Sequence, residues 1–135
     1  MNYIWVQIYD LMIKNKMDDS EKLAALIVEG MQEKKAKQIT LLDLRKLKTN
    51  FADFFVVCHG NSDRQVEAIA DSVEDHVRKN LQEKPYHTEG KDLCNWVLMD
   101  YIHVVVHVFT EEKRNFYGVE ELWGDAKITK YPDIE

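Results

Sequence analysis

Hydrophobic residues recur at helical spacing in two segments of the chain, 18–36 and 61–81. A capping-box pair stands at the start of each segment, Asp18 with Glu21 in the first and Ser62 with Gln65 in the second. The pattern therefore predicts two amphipathic helices, each with one face turned to a core. The residues predicted on those faces are Leu23, Ile27, Gly30, Met31, Val66, Ile69, Val73 and Val77.

Other segments carry the patterns of β-strands. "QITLLDLRKL" (38–47) alternates well enough to place Ile39, Leu41 and Asp43 on one side of a strand. "FFVVCHG" (54–60) is a continuous apolar run, which predicts a strand buried on both faces. "NWVLMDY" and "HVVVHVF" (95–109) have almost nothing between them and predict an antiparallel hairpin, while "YHTEG" (86–90) predicts a short strand or turn.

The order of these elements predicts one α/β domain, a mixed β-sheet covered by helices. The segment 110–126 predicts one or two short helical turns, and residues 128–135 are expected to form a loose tail. Residues 1–16 have no clear place in this pattern, and Met17 reads as a natural beginning. We therefore expect the domain to span 17–127, preceded by an N-terminal extension of unclear status.

Charge narrows the classes of partner. The 135 residues include 24 acidic and 18 basic ones, a net charge of -6, and "EKKAK" (33–37) is the only short basic tract. Because a protein that binds nucleic acid concentrates Lys and Arg on one face, we expect no direct nucleic-acid binding and favour a basic partner.

The apolar run 3–13 is about half the length that spans a bilayer. Cys58 and Cys94 fit two buried thiols in a reducing cytosol, so we expect a cytoplasmic protein without a membrane segment.

Side chains that could carry catalysis or bind a metal are scattered. On a strand, His103 and His107 would lie about 13 Å apart, too far to share an ion. No strand carries two carboxylates one residue apart, and Cys58 and His59 point to opposite faces. "HGNSDRQ" (59–65) could offer backbone N–H groups to an anion, or Asn61 and Ser62 could simply cap a helix. We therefore expect neither catalysis, nor a metal, nor a cofactor, and we expect His107 to be a core histidine with a hydrogen-bond partner.

The first strand of the hairpin leaves two interpretations open. Trp96, Leu98 and Asp100 share one face of this strand. If that face is open, the three residues form an aromatic and apolar patch with an acidic rim, a composition that protein interfaces favour. If it is closed, Trp96 packs under the C-terminal helix and Asp100 belongs to the hairpin turn. Both interpretations favour contact over catalysis.

Three motifs resemble one known family. "DFFVVCHGNSDRQVEAIADSV" (53–73), "WVLMDYIHVVVHVF" (96–109) and "RNFYGVEELWGDA" (114–126) together resemble the Iojap family, the ribosomal silencing factors. The resemblance runs from about Asp18 to Ala126, with several motifs in the same order and at the same spacing. It implies a small α/β domain with a mixed sheet, distantly similar to nucleotidyltransferase folds but without their catalytic acids.

The resemblance also implies a function. Family members bind the large ribosomal subunit on its ribosomal protein fourteen and block joining of the small subunit, so that translation falls when nutrients are scarce; many are homodimers when free. Two alternatives stay open, a nucleotidyltransferase-like nucleotide binder using 59–65 and Asp100, and an assembly factor for the large subunit. The family often has Gly-Asp where this chain has Ile102-His103, which puts a turn contact with a basic partner in doubt. Carried over by motif, the partner-binding residues are Glu89, Trp96, Leu98, Asp100, Tyr101, Arg114 and Tyr117.

Overall fold

The computed structural model describes residues 18–47 and 52–135; the extension 1–16 therefore lies outside the described residues. The described helices are α1 (Asp19–Glu33), α2 (Asp63–Leu81), α3 (Glu111–Tyr117) and α4 (Val119–Leu122). The described strands are β1 (Lys37–Asp43), β2 (Phe54–Gly60), β3 (His87–Glu89), β4 (Trp96–Asp100), β5 (Val104–Thr110) and β6 (Lys127–Lys130). They form a single sheet in the order β3-β4-β5-β2-β1-β6, in which only β2 and β5 run parallel. The predicted α/β class with a mixed, helix-covered sheet is confirmed.

The central strand β2 divides the interior into two cores. Every residue of β2 is buried, as the continuous apolar run predicts. Its alternate side chains serve different faces: Phe54, Val56 and Cys58 join the larger core beneath α1 and α2, whereas Phe55 and Val57 join a smaller core beneath α3 and α4. The two cores differ in size because α1 and α2 are long, while α3 and α4 have only seven and four residues.

Helix α1 and helix α2 begin where the capping pattern places them. The Asp18 carboxylate accepts the N–H of Glu21 at 2.8 Å, and the Ser62 hydroxyl accepts the N–H of Gln65 at 3.2 Å. The Gln65 side chain also accepts the N–H of Asn61 at 2.6 Å. Caps of this kind satisfy N–H groups that the first helical turn leaves unpaired. The capping interpretation is therefore confirmed for Ser62, and the N–H groups of Asn61 and Gln65 are already paired and not available to an anion.

The prediction of a loose C-terminal tail is wrong for its first part. Strand β6 pairs antiparallel with β1 and forms one edge of the sheet. Beyond it, the Tyr131 N–H donates to the Ile39 carbonyl at 3.0 Å, and the Asp133 carboxylate accepts the N–H of Gln38 at 2.8 Å. All four side chains of β6 are exposed, so the strand is held by backbone pairing and has no hydrophobic alternation to reveal it.

Candidate functional site

An uncovered area of the sheet lies at the β3–β4 edge. Strand β4 alternates between buried Val97 and Met99 and half-buried Trp96, Leu98 and Asp100. Strand β3 adds Glu89, which pairs with Leu98 and therefore points to the same face. The helices α3 and α4 cover only the central part of this face, where the smaller core lies. We call Glu89, Trp96, Leu98, Asp100 and the adjoining Tyr117 the β4 patch.

Trp96 is held at the border between this patch and the smaller core. Its ring stacks on Phe109 with centroids 5.0 Å apart and lies 4.6 Å from the ring of Tyr117. The indole N–H donates to Nδ1 of His107 at 3.2 Å. Each of the two interpretations left open by the sequence thus holds in part, because the indole packs beside the end of α3 and still remains half-exposed.

The acidic rim of the patch consists of carboxylates in different settings. Asp100 is half-buried, and its carboxylate accepts the N–H of Ile102 at 2.7 Å in the hairpin turn. Asp100 is thus a turn-stabilising residue, as the second interpretation holds, and it avoids the cost of a buried unpaired charge. Glu89 is exposed and lies 2.8 Å from Nε2 of His87 on the same short strand. Both carboxylates remain accessible to a positively charged partner.

The exposed ring of Phe116 on α3 extends this surface beyond the residues inferred from the sequence, and Leu122 on α4 is a second exposed apolar side chain. Phe116 is 75% exposed and Leu122 is 76% exposed, while Tyr117 of the patch is 44% exposed. The rings of Phe116 and Tyr117 are in edge-to-face contact at 5.1 Å. The segment "NFYGVEELW" (115–123) indicates some exposed apolar residues, because two helices this short cannot bury all of its apolar side chains. The sequence alone does not say which of these side chains stay exposed.

Two of the predicted partner-binding residues are corrected by their burial. Tyr101 is 7% exposed and belongs to the larger core, on the opposite side of the sheet from Trp96. Its hydroxyl lacks a hydrogen-bond partner among the described residues, and burial raises its pKa. The strand alternation that separates Tyr101 from Trp96 explains the error. Arg114 is also 7% exposed, so neither residue offers a side chain to a partner on the surface.

Arg114 instead holds α3 and α4 against the sheet. Its guanidinium donates to Glu120 at 2.7 Å and to the hydroxyl of Thr40 at 3.2 Å, and it contacts Nδ1 of His59 at 3.0 Å. Burial and the neighbouring Arg114 charge lower the pKa of His59, so the neutral ring accepts a hydrogen bond from the guanidinium N–H at its Nδ1. Because Tyr117 ends the helix that Arg114 fixes, Arg114 supports the β4 patch from below.

Comparison with known proteins identifies the family. Residues 17–135 match the family model described as "Ribosomal silencing factor during starvation". The chain belongs to the ribosomal silencing factor family. The predicted resemblance is thereby confirmed.

Members of the silencing factor family match most of the chain. Ribosomal silencing factor RsfS of Bacillus subtilis is 40% identical over 111 residues, covering 82% of this chain and 92% of that protein. A crystal structure of a Chromobacterium violaceum protein superposes with a TM-score of 0.74 at 34% identity, covering 79% of this chain and 88% of that one. A more distant relative, mitochondrial assembly of ribosomal large subunit protein 1 of mouse, is 27% identical over 73% of this chain and 43% of that protein.

The alternative nucleotide site would require groups that the fold separates. Asp100 pairs with Val105 on β5, whereas Gly60, at the start of the 60–63 junction, pairs with Thr110 on the same strand. Five residues along a strand span about 17 Å, so Asp100 and the start of α2 lie at opposite ends of the sheet.

Residues 18–47 and 52–135 contain no group of three His, Cys, Asp or Glu side chains placed to hold a metal ion. The same two ranges contain no helix long and apolar enough to cross a membrane.

Proposed function

We propose that the protein binds the large ribosomal subunit through the β4 patch and sterically blocks association with the small subunit, repressing translation when nutrients are limiting. The contact on the ribosome is a basic ribosomal protein, for which the family resemblance suggests protein fourteen of the large subunit. Membership of a family described as silencing ribosomes during starvation carries this proposal. It requires no catalytic group and no cofactor.

The chemistry of the patch supports a protein partner that is positively charged. A half-buried indole beside Tyr117 supplies aromatic surface of the kind that dominates binding energy at interfaces. Glu89 and Asp100 add negative charge at its edge, and the whole chain carries -6. Complementary charge steers association and fixes orientation, whereas the central aromatic ring supplies affinity.

Binding is tested by cosedimentation of the full chain with purified large ribosomal subunits. We expect Trp96→Glu to abolish cosedimentation, because a charge replaces the aromatic centre of the patch at a cost of about 2–4 kcal/mol. Ile128→Glu is the matched control, since Ile128 is partly exposed and lies four strands away on β6. Circular dichroism establishes that both variants fold. Normal cosedimentation of folded Trp96→Glu would show that the assigned surface is wrong.

The steric block is tested separately by light scattering during subunit association. Pre-incubating large subunits with the protein should slow their association with small subunits, and Trp96→Glu should restore the uninhibited rate. If the protein binds large subunits without slowing association, the blocking mechanism fails. Recovery of tagged protein on precursor particles alone would favour the assembly role that the mouse relative's name describes. The homodimer implied by the resemblance remains a further proposal, tested by sedimentation equilibrium.

A further inference from the structure

A buried histidine lies directly behind the aromatic centre of the β4 patch. His107 is 4% exposed and pairs across the strands with Leu98, one diagonal step from Trp96. Its ring lies parallel to that of Phe109 at 6.0 Å and edge-on to that of Phe55 at 4.9 Å. Its Nδ1 accepts the indole N–H of Trp96 at 3.2 Å. This hydrogen bond links a surface side chain to the smaller core.

We propose that His107 is a positioning residue for partner binding, which fixes the indole of Trp96 in its binding orientation by accepting its N–H. The inference rests on the proposed function, since it assigns a role within the same surface. An aromatic side chain that is already immobilised loses less conformational entropy when it binds. Phe109 and Tyr117 restrain the indole through ring contacts, but only His107 offers a directional contact to its nitrogen among the described residues.

The hydrogen-bonding state of His107 explains why a polar ring occupies this position. Because Trp96 can only donate, Nδ1 must carry a lone pair, and the proton of the neutral ring resides on Nε2. Burial lowers the pKa of His107 to about 4, so the ring is neutral near pH 7. Nε2 is buried without a hydrogen-bond partner among the described residues, an arrangement that costs stability. A phenylalanine would avoid that cost, so the benefit of histidine lies in its bond to Trp96.

A double-mutant cycle tests this role. His107→Phe keeps the ring and removes the acceptor, while Trp96→Phe keeps an aromatic ring and removes the donor. We expect His107→Phe to weaken binding of the full chain to purified large subunits by about 3- to 10-fold, the effect of one hydrogen bond. In the Trp96→Phe background the same substitution should have no further effect, because the bond is already absent. Equal effects in both backgrounds would overturn the proposal.

A spectroscopic readout separates positioning from general stability. The indole N–H resonance of Trp96 is identified in a ¹⁵N–¹H spectrum by its loss in Trp96→Phe. In His107→Phe this resonance should shift and its proton should exchange faster with solvent. His107→Asn, whose amide oxygen can take the place of Nδ1, should recover part of the affinity and of the protection.

The outcomes distinguish this inference from the proposed function. If Trp96→Glu abolishes binding but folded His107→Phe binds like the wild type, the positioning role is wrong and the proposed surface stands. If folded Trp96→Glu binds normally, the surface is wrong and His107 has no anchor to position. An indole resonance unchanged in His107→Phe would contradict the hydrogen bond itself.

Discussion

Ile102, in the hairpin turn, has a backbone conformation that its side chain disfavours. Its φ is +76°, in the left-handed region that β-branched residues rarely adopt. The Asp100 carboxylate secures the turn by accepting the Ile102 N–H. The family resemblance places glycine here in many members, and glycine adopts this conformation without strain. The turn therefore holds its shape through Asp100 in spite of the residue at its centre.

We expect Ile102→Gly to raise the free energy of unfolding by about 1 kcal/mol, because relief of strain exceeds the entropy that glycine adds to the unfolded chain. Little burial is lost, since Ile102 is 55% exposed. Urea denaturation measures the change. Ile102→Ala is the control, because it retains a Cβ in the left-handed region and should gain less. A destabilised Ile102→Gly would show that the turn is not strained.

His107 also makes stability depend on pH. Its pKa is lowered from 6.5 in the unfolded chain to about 4 in the fold, so the unfolded state binds a proton first as the pH falls. The stabilisation is complete above pH 6.5 and declines toward pH 4, by about 3 kcal/mol in total. Denaturation at pH 7, 5.5 and 4.5 should show a shallower decline for His107→Phe than for the wild type. Part of the decline should remain, because the pKa of His59 is also lowered. Equal slopes would contradict the prediction.

Among the elements, α1 and α2 depend on a close backbone approach at Gly30. A Cβ at this position would lie 2.9 Å from Cα of Val73, and the Gly30 carbonyl accepts the Ser72 hydroxyl at 2.7 Å. Alanine is the better helix former, but it would force the two helices apart. We expect Gly30→Ala to lower the free energy of unfolding by about 1–3 kcal/mol and Gly30→Val to lower it further. Thermal denaturation checks this order. A stabilised Gly30→Ala would mean that propensity outweighs packing.

The sequence predicts those elements in which the spacing of apolar residues follows from which side chains face the core. The run around Val56 identified the central strand, and the spacing of Val66 to Val77 identified α2, because both patterns follow directly from contact with the core. β6 escaped prediction since its exposed side chains carry no such pattern. The half-exposure of Trp96 was likewise unpredictable, because it depends on where α3 lies above the sheet and on the buried Arg114 that holds it there.

At the scale of the whole molecule, the two sides of the sheet serve different purposes. The larger core beneath α1 and α2 supplies most of the buried apolar surface, and the smaller core leaves the β3–β4 edge uncovered. A short helical cover is therefore what gives the protein both a stable interior and an accessible aromatic side chain.

The net charge of the whole molecule and the local charge of the β4 patch can both affect how fast the protein associates with a basic partner. If the patch meets a basic partner, Glu89→Lys should slow association with large subunits by roughly 2- to 10-fold at low salt, with a smaller effect at high salt and little change in dissociation. Glu67→Lys is the matched control: it changes the net charge equally, but Glu67 is exposed on α2, on the other side of the sheet. Stopped-flow mixing with labelled protein at several salt concentrations measures both rates. If the acidic rim contacts the partner, only Glu89→Lys should lower the association rate. Equal slowing for the two variants would mean that net charge alone steers binding and would leave the acidic rim without a role.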